Sequence, residues 1–118
     1  MRTTARQRPL LTPQPWPQPR PEAFATDHPY VRRYWSAVLG PGAVADLLRL
    51  ATAAQRGRSL ALPTHLSGLL QADLARRIEH TIEVKVTVPP LPDHYLARLH
   101  PRLRTELATG CCLEARGH

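Results

Sequence analysis

The chain has no asparagine, one lysine, one phenylalanine, one methionine and two cysteines, and nowhere does it carry a long apolar run. Each absence removes a class of function. Without asparagine, a Cys/His/Asn nucleophile cannot be assembled. Cys111 and Cys112 are adjacent near the end, so they cannot staple distant parts of a fold. They also lack the two-residue gap that lets paired thiolates converge on zinc. A membrane span needs about 18 apolar residues in a row, and none exists, so no membrane partner is expected. Leu10-Leu11 is followed at once by prolines, which leaves no apolar core for a secretory signal and makes a reducing cytoplasm the default location.

Phosphate cradles and catalytic motifs are missing too. Gly40-Pro41-Gly42 reads as a corner between helices and matches neither glycine-rich nucleotide motif. No Gly-x-Ser-x-Gly surrounds Ser36, Ser59 or Ser67. The histidines, His28, His65, His80, His94, His100 and His118, never recur at i, i+4, and His94 and His100 fall on different faces of any one helix. The expectation is a non-enzymatic chain with no cofactor and no metal.

What is present is positive charge and proline. The net charge of +7 is unevenly spread. Residues 1–21 carry Arg2, Arg6, Arg8 and Arg20 without an acid, whereas 22–108 set ten arginines and Lys85 against eight acids. Only a clustered basic face makes a phosphate footprint, so the distribution matters more than the total. Fifteen of the sixteen basic residues are arginine, a bias that GC-rich coding also produces. From Pro13 to Pro21 every second residue is proline, which forbids helix and central strand and leaves an extended segment. Residues 1–25 therefore read as a flexible arm, with Trp16 either anchoring a partner's groove or folding back onto the domain.

Between 26 and 108 one domain is expected. Asp27 is the expected cap of a first helix near 29–39, in which Tyr30, Val31, Tyr34, Trp35, Val38 and Leu39 share a face while Arg32 and Arg33 point outward. A second helix near 42–56 turns Val44, Leu47, Leu48, Ala51 and Ala54 inward, and Gly57 stops it. A third, near 64–72, carries Leu66, Leu69 and Leu70. The period then changes from 3.6 to 2. Ile78, Ile82, Val84, Val86 and Val88 share one parity, with Glu83, Lys85 and Thr87 on the other, which predicts a hairpin near 74–88 turning at 79–81. On that parity Val86 lies in the core, and Val86→Asp should unfold the domain. Asp93 is expected to cap short C-terminal helices within 93–107, interrupted at Pro101. Residues 109–118 read as a frayed tail.

Three helices followed by a hairpin is the element order of a winged helix-turn-helix. Arg56, Arg58, Arg76 and Arg77 flank the third helix, whose own polar residues are only Thr64, His65, Ser67 and Gln71. Duplex DNA is thus the expected partner, bound weakly at its phosphates by Arg56, Arg58, Arg76, Arg77 and the arm's Arg20. The alternative is a protein-interaction module that docks a partner through the proline-rich arm.

His28-Pro29-Tyr30-Val31-Arg32-Arg33-Tyr34-Trp35, Leu39-Gly40-Pro41, Arg56-Gly57-Arg58 and Val88-Pro89-Pro90-Leu91-Pro92 together resemble small winged-helix-like proteins of GC-rich actinobacteria, over about residues 28–108. That resemblance implies a small α+β, winged-helix-like fold and no activity, cofactor or site residue.

Overall fold

Prolines open several of the helices: Pro41 and Pro101 are the first residues of two, and Pro92 stands just before the first residue of a third. A computed structural model describes residues 10–18 and 20–109. Helical backbone starts at Pro29, passes through a π-helical turn (Val31–Trp35) and continues as α1 (Ser36–Leu39). Inside the π turn the Ser36 amide bonds to the carbonyls of both Arg33 and Val31. This widening brings Val31, Tyr34 and Trp35 into the core together. Gly40, at φ +97°, makes the corner, and α2 (Pro41–Arg56) follows with proline at its first position and Gly57 in the left-handed conformation just past its end. The later helices are α3 (Leu66–Gln71), α4 (Asp93–Leu96) and α5 (Pro101–Thr109). The fold is a small α+β domain with five α-helices among the described residues, where the sequence predicts three principal ones and short C-terminal pieces.

The start of the first helix corrects one expectation. His28, and not Asp27, satisfies the free amides: its Nδ1 accepts from the Tyr30 N–H at 2.9 Å and its carbonyl accepts from Val31 and Arg32. His100 repeats the device before α5, accepting from the Arg102 N–H at 3.0 Å ahead of Pro101. Asp93 is likewise no cap, since the Pro92 carbonyl takes the first bonds of α4. His28→Ala should lower stability by about 1 kcal/mol and His28→Asn, which can also cap, should restore most of it, read from thermal melts.

The expected hairpin is present. Strands β5 (Ala75–Ile78) and β6 (Thr81–Val84) pair antiparallel from Ala75 opposite Val84 to Ile78 opposite Thr81. Glu79 takes φ +50° in the turn, a place usually given to glycine or asparagine. The single alternating strand predicted over 82–88 does not persist, however. A bend at Val86 separates β6 from β7 (Thr87–Val88). Ile82, Val84 and Val88 are buried, whereas Val86 is only half-buried and lies outside the core, and Ile78 is exposed at the hairpin tip. On α2, Leu48 is half-buried and Leu50 fills the core beside Leu47.

The largest departure concerns the proline-rich segment. Its described part is extended, as proline requires, but it is paired. It supplies β1 (Leu10–Leu11), β2 (Gln14–Pro15) and β3 (Phe24–Ala25), one strand to each of three small sheets. β1 pairs with β4 (Leu60–Ala61), β2 lies parallel on the outer edge of β6, and β3 pairs with β7. An edge position tolerates proline because the missing amides would face away from the sheet. Trp16, between two prolines, still donates its N–H to the Val84 carbonyl at 2.9 Å. Pro13 and Phe24 are buried, and Phe24 stacks on Tyr30 with ring centroids 4.0 Å apart. Residues 10–18 and 20–25 are thus part of the domain, because they cover apolar surface that the hairpin and helices leave open. Residues 1–9 and 110–118, including Cys111 and Cys112, lie outside the described residues.

Pro89-Pro90-Leu91 closes the core from the other side. The Pro89 carbonyl accepts from Trp35 Nε1 at 3.0 Å, and the Leu91 N–H donates to the Tyr30 hydroxyl at 3.0 Å, with Leu91 buried. Burial raises the Tyr30 phenol above its ordinary pKa, and the Leu91 amide partly opposes that. Both aromatic polar tips are satisfied by this one turn of chain.

Candidate nucleic-acid interface

Each basic side chain is positioned by the element that carries it. Arg56 ends α2 and Arg58 follows the Gly57 stop, with its N–H on the Ala53 carbonyl at 2.9 Å. Both are exposed. Arg58 lines an open groove of about 350 Å³ together with Leu48, Arg49, Thr52, Ala53, Ser59 and Leu60. Arg77 on β5 lines a second cleft, of about 290 Å³, with Leu10, Leu11, Leu62 and the hairpin turn. Arg20 is exposed at a bend in the proline-rich segment.

Arg76 differs from the other four. Its guanidinium holds the Glu83 carboxylate at 2.6 and 2.7 Å and lies 4.5 Å from the centre of the Trp16 ring. Lys85 is 5.2 Å from the same ring and pairs with Glu22 at 3.2 Å. Both cations of this sheet face are therefore neutralised within the chain, and together they hold Trp16 in place. Trp16 accordingly packs against its own domain. Among the described residues, Arg20, Arg56, Arg58 and Arg77 have no carboxylate partner.

The short α3, the expected reading helix, is tied down at its start. Asp46 of α2 is almost fully buried, and it accepts from the His65 N–H at 2.9 Å, from His65 Nδ1 at 3.1 Å and from Arg49. Burial alone would raise the Asp46 pKa, but the His65 amide, the Arg49 guanidinium and the His65 ring outweigh it and hold the carboxyl below its ordinary value. The imidazole lies against Gly42, where a Cβ would come within 2.5 Å of it. Glycine at 42 is what lets the ring reach Asp46. An aspartate orienting a histidine is half of a catalytic constellation. Among the described residues no hydroxyl or thiol bonds His65, so the pair joins α3 to α2; Thr64, Ser67 and Gln71 are exposed there beside the partly engaged His65.

The sequence reading did not anticipate Asp46, His65 and Gly42 as a unit. Their spacing of 4 and 19 residues has no motif, and only the packing of α3 on α2 brings them together. Among the described residues no three His, Cys, Asp or Glu side chains gather where they could hold a metal ion, and no helix is long and apolar enough to cross a membrane. Comparison with known proteins returns no match: no family model, no curated protein and no solved structure is significantly similar to this chain.

Proposed function

We propose that this chain is a non-enzymatic, winged-helix-like regulatory domain of the cytoplasm that binds duplex DNA weakly, through phosphate contacts. The observation that carries the reading is the sorting of its cations. Arg33, Arg49, Arg76 and Lys85 are paired with carboxylates, while Arg20, Arg56, Arg58 and Arg77, like Arg32, Arg98, Arg102 and Arg104 elsewhere, stand exposed without a carboxylate partner among the described residues. Unpaired guanidinium groups on the surface release counterions from a phosphate backbone, which gives affinity without base readout. The order of three helices and a hairpin, and the small polar residues of α3, are consistent with positioning on the duplex more than with sequence selection.

The alternative, a protein-interaction module, needs the proline-rich segment as a ligand. In the fold Gln14–Pro15 and Trp16 are already bound to β6, so docking by that segment would first require its release. Deleting residues 1–25 would not separate the two readings, because the deletion also removes Pro13 and Phe24 from the core.

Titration of the intact chain with generic duplex DNA at low and moderate salt separates them. Binding should weaken steeply with salt, and Arg58→Ala and Arg77→Ala should each reduce the slope of log affinity against log salt by about 0.9. Arg76→Ala should leave that slope nearly unchanged, since Glu83 already compensates its charge. No binding at low salt, or slopes indifferent to the Arg58 and Arg77 changes, would overturn the proposal.

A further inference from the structure

A second cationic surface lies where the first helix meets α5. Arg33, His100, Arg102, Leu103 and Glu106 line an open cleft of about 680 Å³. An adjoining one of about 470 Å³ shares Arg33 and Leu103 and adds Pro29 and Arg32. The two adjoin at Arg33 and Leu103 and are assembled from residues about seventy positions apart in sequence.

Its charges are not mutually cancelled. Glu106 is its one carboxylate, and both of its oxygens are engaged: Arg33 grips it in bidentate fashion, with Nη2 at 2.7 Å from Oε1, and the Tyr34 hydroxyl also donates to it. That pair fixes Arg33 in place and takes up the negative charge. Arg32 and Arg102 are exposed and, among the described residues, have no carboxylate partner. His100 spends Nδ1 on the Arg102 N–H, so its neutral ring carries the proton on Nε2 and offers a donor. Leu103 and Pro29 supply apolar wall.

We infer that this cleft binds a phosphate group carried by a small molecule. Planar guanidinium groups suit phosphate oxygens: Arg102 stands uncommitted beside the His100 N–H donor in one cleft, and Arg32 stands uncommitted in the adjoining one. The apolar wall of Leu103 and Pro29 beside these cations gives the organic part of a small ligand something to pack against. Neither Arg32 nor Arg102 belongs to the surface assigned above to DNA, so this site stands apart from that reading.

Two-dimensional amide NMR of the intact chain, titrated with inorganic phosphate and separately with adenosine monophosphate, tests the inference. Saturable shifts should centre on Arg32, Arg33, Arg102 and Leu103, with adenosine monophosphate the tighter of the two because its organic part meets Leu103 and Pro29. Arg32→Ala and Arg102→Ala should each weaken binding tenfold or more while leaving the thermal melt unchanged. Arg102→Gln, which keeps the side-chain bulk, should weaken it equally. Arg58→Ala should weaken duplex DNA and leave this site unaltered. Absence of shifts in the cleft at millimolar ligand, shifts that survive the paired Arg32 and Arg102 changes, no preference for adenosine monophosphate over inorganic phosphate, or occupancy by duplex DNA alone would each overturn it.

Discussion

Val84→Asp is expected to unfold the domain, whereas Val86→Asp, two residues further on, is expected to leave it folded. Val84 is fully buried in β6, with β5 on one side and β2 on the other. A carboxylate there would lose its water without gaining a partner, at a cost of several kcal/mol against a total stability of about 5–15 kcal/mol. Val86 sits at the bend between β6 and β7 and is only half-buried, so its replacement carboxylate can reach water and should cost about 1 kcal/mol. Urea unfolding followed by circular dichroism distinguishes the two. Equal losses for both variants would mean that the strand parity runs unbroken through residue 86.

Asp46→Ala is the second substitution expected to be severe. It strips the His65 amide, the His65 ring and Arg49 of their common acceptor and unfastens α3 from α2. The His65 amide loses its acceptor at a partly buried place, while the His65 ring and Arg49, both more than half exposed, regain water, so the cost is about 1–2 kcal/mol. Asp46→Asn keeps an oxygen for the His65 amide and should lose only part of this. The pH dependence carries a definite sign. The folded-state pKa of Asp46 is depressed below the ordinary 3.8, so its stabilising contribution is fully present above that value and is lost as pH falls through the lower folded-state value. The stability gap between the wild type and Asp46→Asn should therefore hold at neutral pH and close below about pH 4. A gap that stays constant down to pH 2 would rule out an ionised Asp46 as the source.

Both predictions fall where local pattern and tertiary packing part company. Alternation over 82–88 is a sound reading of β6, and the turn at 79–81 follows from it. It fails at Val86 because β6 and β7 have different partners: β2 and β5 hold one, β3 the other, and the chain must bend between them. Two of those partners, β2 and β3, come from Gln14–Pro15 and Phe24–Ala25, in and beside a segment whose proline spacing makes it look unable to join a sheet. Proline excludes a central strand, not an edge. Nothing local says that an edge is waiting. Ile78 is a related case, since it keeps the right parity but sits at the hairpin tip beyond the core's reach.

The candidate surface divides in the same way. That Arg56, Arg58, Arg77 and Arg20 are exposed could be read from their places at a helix end, a loop, a strand edge and a proline-rich segment. That Arg76 is committed to Glu83 and Trp16 could not, because Trp16 is sixty residues away in sequence and reaches Arg76 only through the pairing of β2 with β6. Arg32 and Arg33 were legible as outward-facing, yet that Arg33 meets Arg102 and His100, with Arg32 in the adjoining cleft, depends on how α5 docks on the first helix.

What the sequence determined by itself is part of the set of elements, without the short strands β1 to β4 and β7: the principal helices, an alternating hairpin, an α+β class, and a surplus of arginine. These follow from side-chain period and backbone sterics, which act over a few residues. Tertiary structure alone decided which cations are spent, which valine is core, how Asp46 meets His65, and that a proline-rich segment completes three sheets. Each of those depends on burial, and burial is a property of what the rest of the chain packs against a residue.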